Sequence, residues 1–178
     1  MSVRDPNAIA LAFEAKAEAY LRGLALPKPD AYYREIRNYL QRERDKGRIK
    51  TGHQSVRILK QQDGSTLINV GPSIYKNPCQ ECIQFQSTAE LSLGITLSTQ
   101  GSDTELLSYR FHLQLPERSG LSFVRIDLNG PPKAGHDHLQ VPRSHVHPGF
   151  EEAHIPFPVM TPLEVLDRIF HVIEPHFA

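Results

Sequence analysis

Residues 107–129, LSYRFHLQLPERSGLSFVRIDLN, contain two runs in which apolar and polar residues alternate. The apolar positions of the two runs are Leu107, Tyr109, Phe111, Leu113 and Leu115, then Val124, Ile126 and Leu128. A period of two is typical of strands that bury one face, and the turn at 116–120 predicts that the two strands pair as a hairpin. The opposite face of this hairpin would carry four polar residues, Arg110, His112, Arg125 and Asp127.

Alternation or short apolar runs predict further strands upstream of this hairpin. These segments are 55–60, 66–70, 83–86 and 91–98. Between the first two, Asp63-Gly64 indicates a tight turn, because glycine adopts a positive φ without steric conflict. We therefore expect an antiparallel meander of about five or six strands.

Helices are predicted at both ends of the chain. Apolar residues at helical spacing indicate a first helix that begins near Pro6 and ends before Pro27, and a second at 31–46. Near the C-terminus, the sequence TPLE at 161–164 has the pattern of a capping box, in which Thr and Glu each accept from the other's backbone amide. Two N-terminal helices, an antiparallel sheet and a closing C-terminal helix predict an α+β fold.

The chain has 178 residues and is expected to form a single domain over 1–178, since domains commonly contain roughly 100 to 200 residues. Four regions are expected within it: a helical, partly basic region at 1–50, an antiparallel sheet at 51–130, a His- and Pro-rich loop at 131–160 and a C-terminal helix at 161–178.

The net charge is zero, but the charges are unevenly distributed. Residues 34–60 contain nine Lys or Arg and three acidic residues, whereas 61–178 contain seven Lys or Arg and thirteen acidic residues. The basic segment is a candidate surface for a nucleic-acid backbone. Its candidate substrate-binding residues are Arg37, Arg44, Lys46 and Arg48. A solvated helix face, partly paired with acids, is an equally good interpretation of these charges.

Several features favour a cytoplasmic location without membrane contact. No apolar stretch is long enough to span a bilayer, and the N-terminus lacks the order of a secretory signal. Cys79 and Cys82 form a single C-x-x-C pair, which is too few cysteines for a disulfide framework and is consistent with a reducing compartment. The pair alone is also a weak candidate for a metal site.

The histidines are most densely clustered at 136–147, where His136 and His138 form one H-x-H pair and His145 and His147 form another. In extended backbone the two histidines of each pair point to the same side. Imidazole titrates near about pH 6.5, so these four residues can serve as general acid and base without a metal cofactor.

Charged residues near the histidines would complete a site for phosphodiester cleavage. Arg110, Arg125 and Arg143 can hold a phosphate and stabilise the charge that develops during the reaction, with His112 beside them. Asp127 or Asp137 can fix the tautomer of a histidine. For the residues of the sheet, a solvated face with cross-strand charge pairs is the competing interpretation.

Two other interpretations of the histidines remain open. The H-x-H pairs, alone or with Asp127, Cys79 and Cys82, could bind zinc, which favours nitrogen and sulfur ligands, although neither a familiar ligand spacing nor an H-E-x-x-H pattern is present. They could also be ordinary polar residues that hydrogen-bond to the backbone of a proline-rich loop. The remaining histidines, His53, His154, His171 and His176, show no partner pattern and are expected to be structural or surface residues.

The stretch VRIDLN at 124–129, the pairs His136/His138 and His145/His147, the segment from Pro142 to His147 and the sequence TPLEVLDRI at 161–169 resemble the C-terminal region of TumE-like bacterial toxins. The resemblance covers about residues 107–173. It implies a toxin–antitoxin or defence setting, action on RNA or translation, and a protein partner that restrains the toxin.

These observations lead to a functional expectation with two alternatives. The expectation is a toxin-like, nucleic-acid-directed protein, with a metal-independent ribonuclease site of His and Arg residues, acting on RNA and restrained by a cognate antitoxin or effector protein. The first alternative is a non-catalytic subunit that binds nucleic acid or protein, and the second is a zinc-dependent hydrolase.

Overall fold

The computed structural model describes residues 6–72, 79–131 and 141–177. Its helices are α1 (Pro6–Gly23), α2 (Pro29–Asp45), α3 (Pro162–Arg168) and α4 (Glu174–Phe177), and a π-helical turn at Ile169–Ile173 joins the last two. Each of α1, α2 and α3 begins with proline, whose fixed φ suits the first helical turn and whose missing N–H leaves no helical bond unmade there.

Nine strands lie within the described ranges. They are β1 (Ile49–Thr51), β2 (Arg57–Lys60), β3 (Thr66–Val70), β4 (Ile83–Phe85), β5 (Glu90–Gln100), β6 (Asp103–Gln114), β7 (Phe123–Leu128), β8 (Ser144–Pro148) and β9 (Ile155–Pro156). They form one sheet in the order β1-β4-β5-β6-β7-β8-β9, and the β2–β3 pair adds to the edge of β5 beside β4. All the described pairings are antiparallel, so the α+β prediction is confirmed.

One face of the sheet packs against the helices. Apolar side chains such as Ile68, Ile95 and Phe111 belong to the same hydrophobic cluster as Ile36 of α2 and Phe170 of the π-helical turn. Burying each side chain of this size contributes roughly 1.5–3 kcal/mol. The residues that alternate with them lie on the opposite face, which is called the open face below.

The C-terminal helix begins as the sequence predicts. Thr161 Oγ1 accepts a hydrogen bond from the Glu164 amide at 3.2 Å, and Glu164 Oε2 accepts from the Thr161 amide at 2.7 Å. Glu164 Oε2 also accepts from the Tyr20 hydroxyl of α1 at 3.1 Å, so the cap fixes one helix against another.

The six predicted strands are present, and three more, β1, β8 and β9, were missed. The prediction of a loop over 131–160 is therefore wrong for β8 and β9. Strand β8 has no apolar alternation, because Ser144, His145 and His147 are polar although all three are buried. Its pairing with β7, which sequence periodicity does not reveal, holds it in the sheet.

In β6, the first strand of the β6–β7 hairpin, the sequence pattern also assigned one wrong residue, Leu107, to the buried face. The pairing of β5 with β6 shifts register between Thr96 and Leu97, so that Leu97 faces Leu106. A β-bulge inserts an extra residue into one strand and changes the side to which the following side chains point. Leu106 is consequently the buried residue, and Leu107 is only partly buried.

Cys79 and Cys82 are joined by a disulfide bond. The interpretation of the pair as metal ligands is therefore wrong, because bonded sulfurs are not thiolate ligands. The bond also removes the support that the small number of cysteines gave to a reducing compartment. Among the helices of the described ranges, none is long and apolar enough to cross a lipid bilayer.

Candidate functional site

The open face carries two rows of cross-strand partners that run from the middle of the sheet towards β8. The first row is Asn69, Gly94, Arg110, Asp127 and His145. The second row is Ser92, His112, Arg125 and His147. The predicted hairpin and its shared polar face are thus confirmed, and β8 adds two histidines to that face.

Three histidines meet at the β8 end of these rows. His145 and His147 are side by side on β8, and His154 lies in the connection between β8 and β9. The three rings are in mutual contact, with centroids 4.6–5.0 Å apart. One ring nitrogen from each residue lies within 4.8 Å of the other two, so the three can approach one shared ligand.

Hydrogen bonds determine which nitrogen of each ring is free to coordinate. His145 Nδ1 lies 2.7 Å from the Pro142 carbonyl oxygen, and His154 Nδ1 lies 3.1 Å from the Glu152 carbonyl oxygen. A carbonyl only accepts, so Nδ1 carries the proton in both rings. The Nε2 atoms of these two histidines, in their neutral forms, therefore carry lone pairs.

His147 has the same tautomer for a different reason. Its Nε2 lies 2.7 Å from Nη2 of Arg125. A guanidinium group only donates, so Nε2 accepts and the ring proton is on Nδ1. All three rings of the cluster consequently present an Nε2 lone pair, which is the atom that metal-binding histidines commonly use.

Asp127 lies against the same nitrogens. Its Oδ2 is 3.7 Å from His145 Nε2 and 3.6 Å from His147 Nε2, and it accepts from Arg125 Nε at 2.8 Å. Its Oδ1 is turned towards Arg110, with Nε at 3.5 Å. The carboxylate therefore separates the histidines from the middle of the open face.

Burial keeps the β8 histidines neutral. It lowers the pKa of His145, and it lowers the pKa of His147, to which the positive charge of Arg125 adds. Burial also lowers the pKa of His112, which stacks on Phe123 with ring centroids 5.0 Å apart. Neutral imidazole is the form that binds a metal, whereas a general acid must carry its proton.

The dimensions of the cluster suit a small divalent cation. In a tetrahedral zinc site with bonds of about 2.0–2.1 Å, two nitrogens are roughly 3.3 Å apart. The histidine nitrogens lie within 4.8 Å of one another, so a movement on the order of 1 Å would bring them to bonding distance. Arg125 would release His147 Nε2 and keep its bonds to Asp127 and Glu151.

The sequence did not reveal His154, which was expected to be a structural or surface residue. A weak signal was present: a third histidine follows His147 by seven residues, after the turn at Pro148-Gly149. Gly149 has a φ of 79°, a value that glycine adopts easily, and the chain returns towards β8 after it. His136 and His138, the other predicted pair, and Asp137 between them lie outside the described residues.

Arg143 does not belong to the open-face site. Its guanidinium pairs with Glu18 of α1 and its Nε donates to the Asn129 carbonyl at 3.3 Å, while its backbone amide donates to Glu14 at 2.9 Å. The side chain is only 5% exposed. We therefore replace the predicted phosphate-binding role with a structural one, the attachment of α1 to the start of β8.

The basic residues of the N-terminal region lie in and after α2, in the layer that covers the other face of the sheet. Lys46 and Arg48 pair with the buried Glu43, and Arg37 lies over the ring of Tyr33 at 5.6 Å. Arg44 is exposed. Because the sheet separates this layer from the histidines, these residues and the histidine cluster do not form one surface.

No family model, curated protein or solved structure matches this chain.

Proposed function

We propose that the protein is a metal-dependent hydrolase in which His145, His147 and His154 hold a divalent cation of the zinc class. The observation that carries the proposal is the convergence of one ring nitrogen from each of the three histidines, with Asp127 Oδ2 lying 3.6–3.7 Å from Nε2 of His145 and His147. Burial of His145 and His147 favours this assignment over metal-free acid–base catalysis, because burial lowers the pKa of both rings and neutral imidazole is the form that binds a metal.

A cation held by three histidines retains a position for water and lowers the pKa of that water to about 7. Asp127 would accept the proton of this water, because its Oδ2 lies 3.6–3.7 Å from two of the histidine nitrogens. The arrangement suits hydrolysis of a phosphodiester. The water oxygen would bond to phosphorus, the bond from phosphorus to the leaving oxygen would break, and that oxygen would take the proton that Asp127 had accepted from the water.

The substrate and setting that we propose are those implied by the resemblance to TumE-like toxins. The substrate is RNA, and a cognate protein partner restrains the activity. The cytoplasmic location is part of the same proposal, because RNA and the translation machinery are there. The exposed Arg37 and Arg44 of α2 would contact RNA only outside the histidine site, on the other side of the sheet.

The proposal is tested by measuring metal content and RNA cleavage on the same samples. The wild type is expected to contain one equivalent of a transition metal, to cleave RNA, and to lose both after treatment with a chelator. His154→Ala removes a half-buried ligand on a connection and should lose metal and activity while remaining folded. His176→Ala removes an exposed histidine of α4 and is the matched control.

Each failure has a distinct meaning. RNA cleavage that persists in metal-free protein would contradict the metal and favour acid–base catalysis by the histidines. RNA binding without cleavage, unchanged by His154→Ala, would favour a non-catalytic binding subunit. Growth arrest on expression of the wild type, but not of His154→Ala, would support the toxin setting.

A further inference from the structure

A groove on the open face extends as far as Asp127, which lies beside the proposed metal centre. It has a volume of about 320 Å³, which is within the roughly 300–1,000 Å³ typical of small-molecule sites. Its lining includes Leu67, Asn69, Gly94, Arg110 and Asp127. Four of these five belong to the first row of cross-strand partners, so the groove follows that row from Asn69 to Asp127.

Glycine in the middle of β5 gives the groove its depth. Gly94 lies between Asn69 and Arg110 in the row, and a Cβ placed on it would have one neighbour, Leu67 Cδ1 at 3.7 Å. Glycine within a strand weakens the strand and often marks a place where a ligand approaches the backbone. The space above Gly94 is therefore open to a flat group lying against Leu67.

Two polar groups face this space. The Arg110 side chain is 57% exposed, and it is the cation among the described residues that line the groove. On the other side, Asn69 Nδ2 donates to the Gly71 carbonyl at 3.1 Å, which fixes the orientation of the amide. Asn69 Oδ1 is then a buried acceptor without a hydrogen-bond partner among the described residues.

These groups match the parts of one nucleotide. A nucleobase is flat and has N–H donors for the Asn69 oxygen, and its phosphate suits a guanidinium, which binds phosphate through paired donors. The distances agree with this placement. Adjacent strands are about 4.8 Å apart, so Gly94 is roughly 10 Å from Asp127 and Arg110 lies midway between them.

We propose that this groove binds one nucleotide of the substrate, with the base over Gly94 and against Asn69 and the phosphate on Arg110, next to the phosphodiester that is cleaved. The inference rests on the proposed function, because it identifies a substrate subsite of that centre. It also makes a claim that does not depend on the metal: the metal-free protein binds a mononucleotide.

The test uses chelator-treated full-length protein titrated with the four ribonucleoside 5′-monophosphates and, separately, with inorganic phosphate, by calorimetry. Arg110→Gln is expected to weaken nucleotide and phosphate binding roughly tenfold or more, the effect of losing a charged hydrogen-bonding group. Gly94→Leu is expected to abolish nucleotide binding and to leave phosphate binding. Arg57→Gln removes an arginine of equal exposure, 56%, outside the groove and is the matched control.

The results separate the two proposals. Nucleotide binding that is lost in Gly94→Leu supports the groove even if the protein takes up no metal, in which case the hydrolase proposal alone fails. Equal nucleotide affinity in wild type and Gly94→Leu, or no binding at millimolar nucleotide, overturns the groove proposal. Metal uptake and RNA cleavage that are unchanged in both Arg110→Gln and Gly94→Leu overturn it as well, while leaving the metal centre in place.

Discussion

Asp127 and His145 are direct cross-strand partners in β7 and β8, and Asp127 Oδ2 lies 3.7 Å from His145 Nε2. The same oxygen accepts from Arg125 Nε at 2.8 Å. One buried carboxylate oxygen therefore accepts a hydrogen bond from a guanidinium and also lies close to the histidine cluster. The structure keeps a negative charge at the point where the proposed cation would bind.

Asp127→Asn should lower both stability and metal affinity. The amide has the shape of the carboxylate but leaves the largely buried Arg125 without its buried counter-charge, a loss of about 1–3 kcal/mol. Zinc affinity should fall about 10–100-fold, as it does when groups that support metal ligands are changed. Urea unfolding of the metal-free protein and a chelator competition measure the two effects.

Glu151→Gln provides the control for that prediction. Glu151 also pairs with Arg125, but its side chain is 57% exposed. An exposed pair contributes about 0–1 kcal/mol, so this variant should remain close to the wild type. Equal losses in the two variants would mean that the position of Asp127 at the histidine cluster has no special importance.

The β6–β7 hairpin could be predicted because the sequence pattern that indicates it is local. In residues 107–128 apolar and polar side chains alternate along each strand, and the cross-strand pair Arg110–Asp127 follows from the pairing of the two strands. The cap at Thr161 was predictable for the same reason, since its two partners are three residues apart. The bulge near Leu106 was not, because the adjacent pair Leu106-Leu107 does not show which of the two leucines is buried.

The candidate site was only partly predictable. Its most buried members, His145 and His147, are polar residues on a polar strand, so no apolar period marked β8. His154 reaches the cluster through the path of a connection, which spacing does not encode. The partner of Arg143 is Glu18, 125 residues away along the chain, and an isolated arginine carries no sign of such a distant partner.

Arg143→Gln separates the structural role of Arg143 from the predicted substrate-binding role. The substitution leaves Glu18 without its partner and should lower the free energy of unfolding by about 1–3 kcal/mol. Nucleotide and RNA affinity of the folded protein should not change, because the side chain is directed towards α1 and away from the groove. Calorimetry and urea unfolding on the same samples test both statements.

A double-mutant cycle with Glu18→Gln completes the Arg143 test. If the pair carries the effect, the two substitutions together should cost less than the sum of the single ones. A specific loss of RNA affinity in Arg143→Gln, with unchanged stability, would restore the substrate-binding interpretation.

The cap at Thr161 should make stability depend on pH in the acidic range. The hydrogen bond from the Thr161 amide holds the pKa of Glu164 below its ordinary value. Glu164 therefore binds its proton more tightly in the unfolded chain than in the folded protein. The stabilisation that ionised Glu164 gives to the fold is fully present above about pH 4.3 and is lost as the pH falls through the lower folded pKa. Glu164→Gln removes this titration and should reduce the slope of unfolding free energy against pH below about 4.3.

Thr161→Ala is the comparison for the pH experiment. It removes the hydroxyl that accepts from the Glu164 amide, and loss of such a cap costs about 1 kcal/mol. This loss should be larger at neutral than at acidic pH, because the hydroxyl also donates to Glu164 Oε2 at 2.9 Å and this bond helps to lower the Glu164 pKa. Urea unfolding from neutral to acidic pH follows all three proteins, and parallel curves for wild type and Glu164→Gln would contradict the prediction.

Two glycines with similar backbone angles should respond very differently to alanine. Gly52 has a φ of 89° and Gly64 has a φ of 83°, so both variants suffer the strain of a side chain at positive φ, about 1–2 kcal/mol. Around Gly64 a Cβ would meet nothing within 4 Å, whereas at Gly52 it would lie 2.0 Å from the Cys82 carbonyl oxygen. Gly52→Ala should therefore cost at least about 3 kcal/mol, since the disulfide-bearing turn must move. Urea midpoints measure both losses, and equal losses would show that the backbone angle alone, without the contact to the Cys79–Cys82 segment, makes glycine necessary at residue 52.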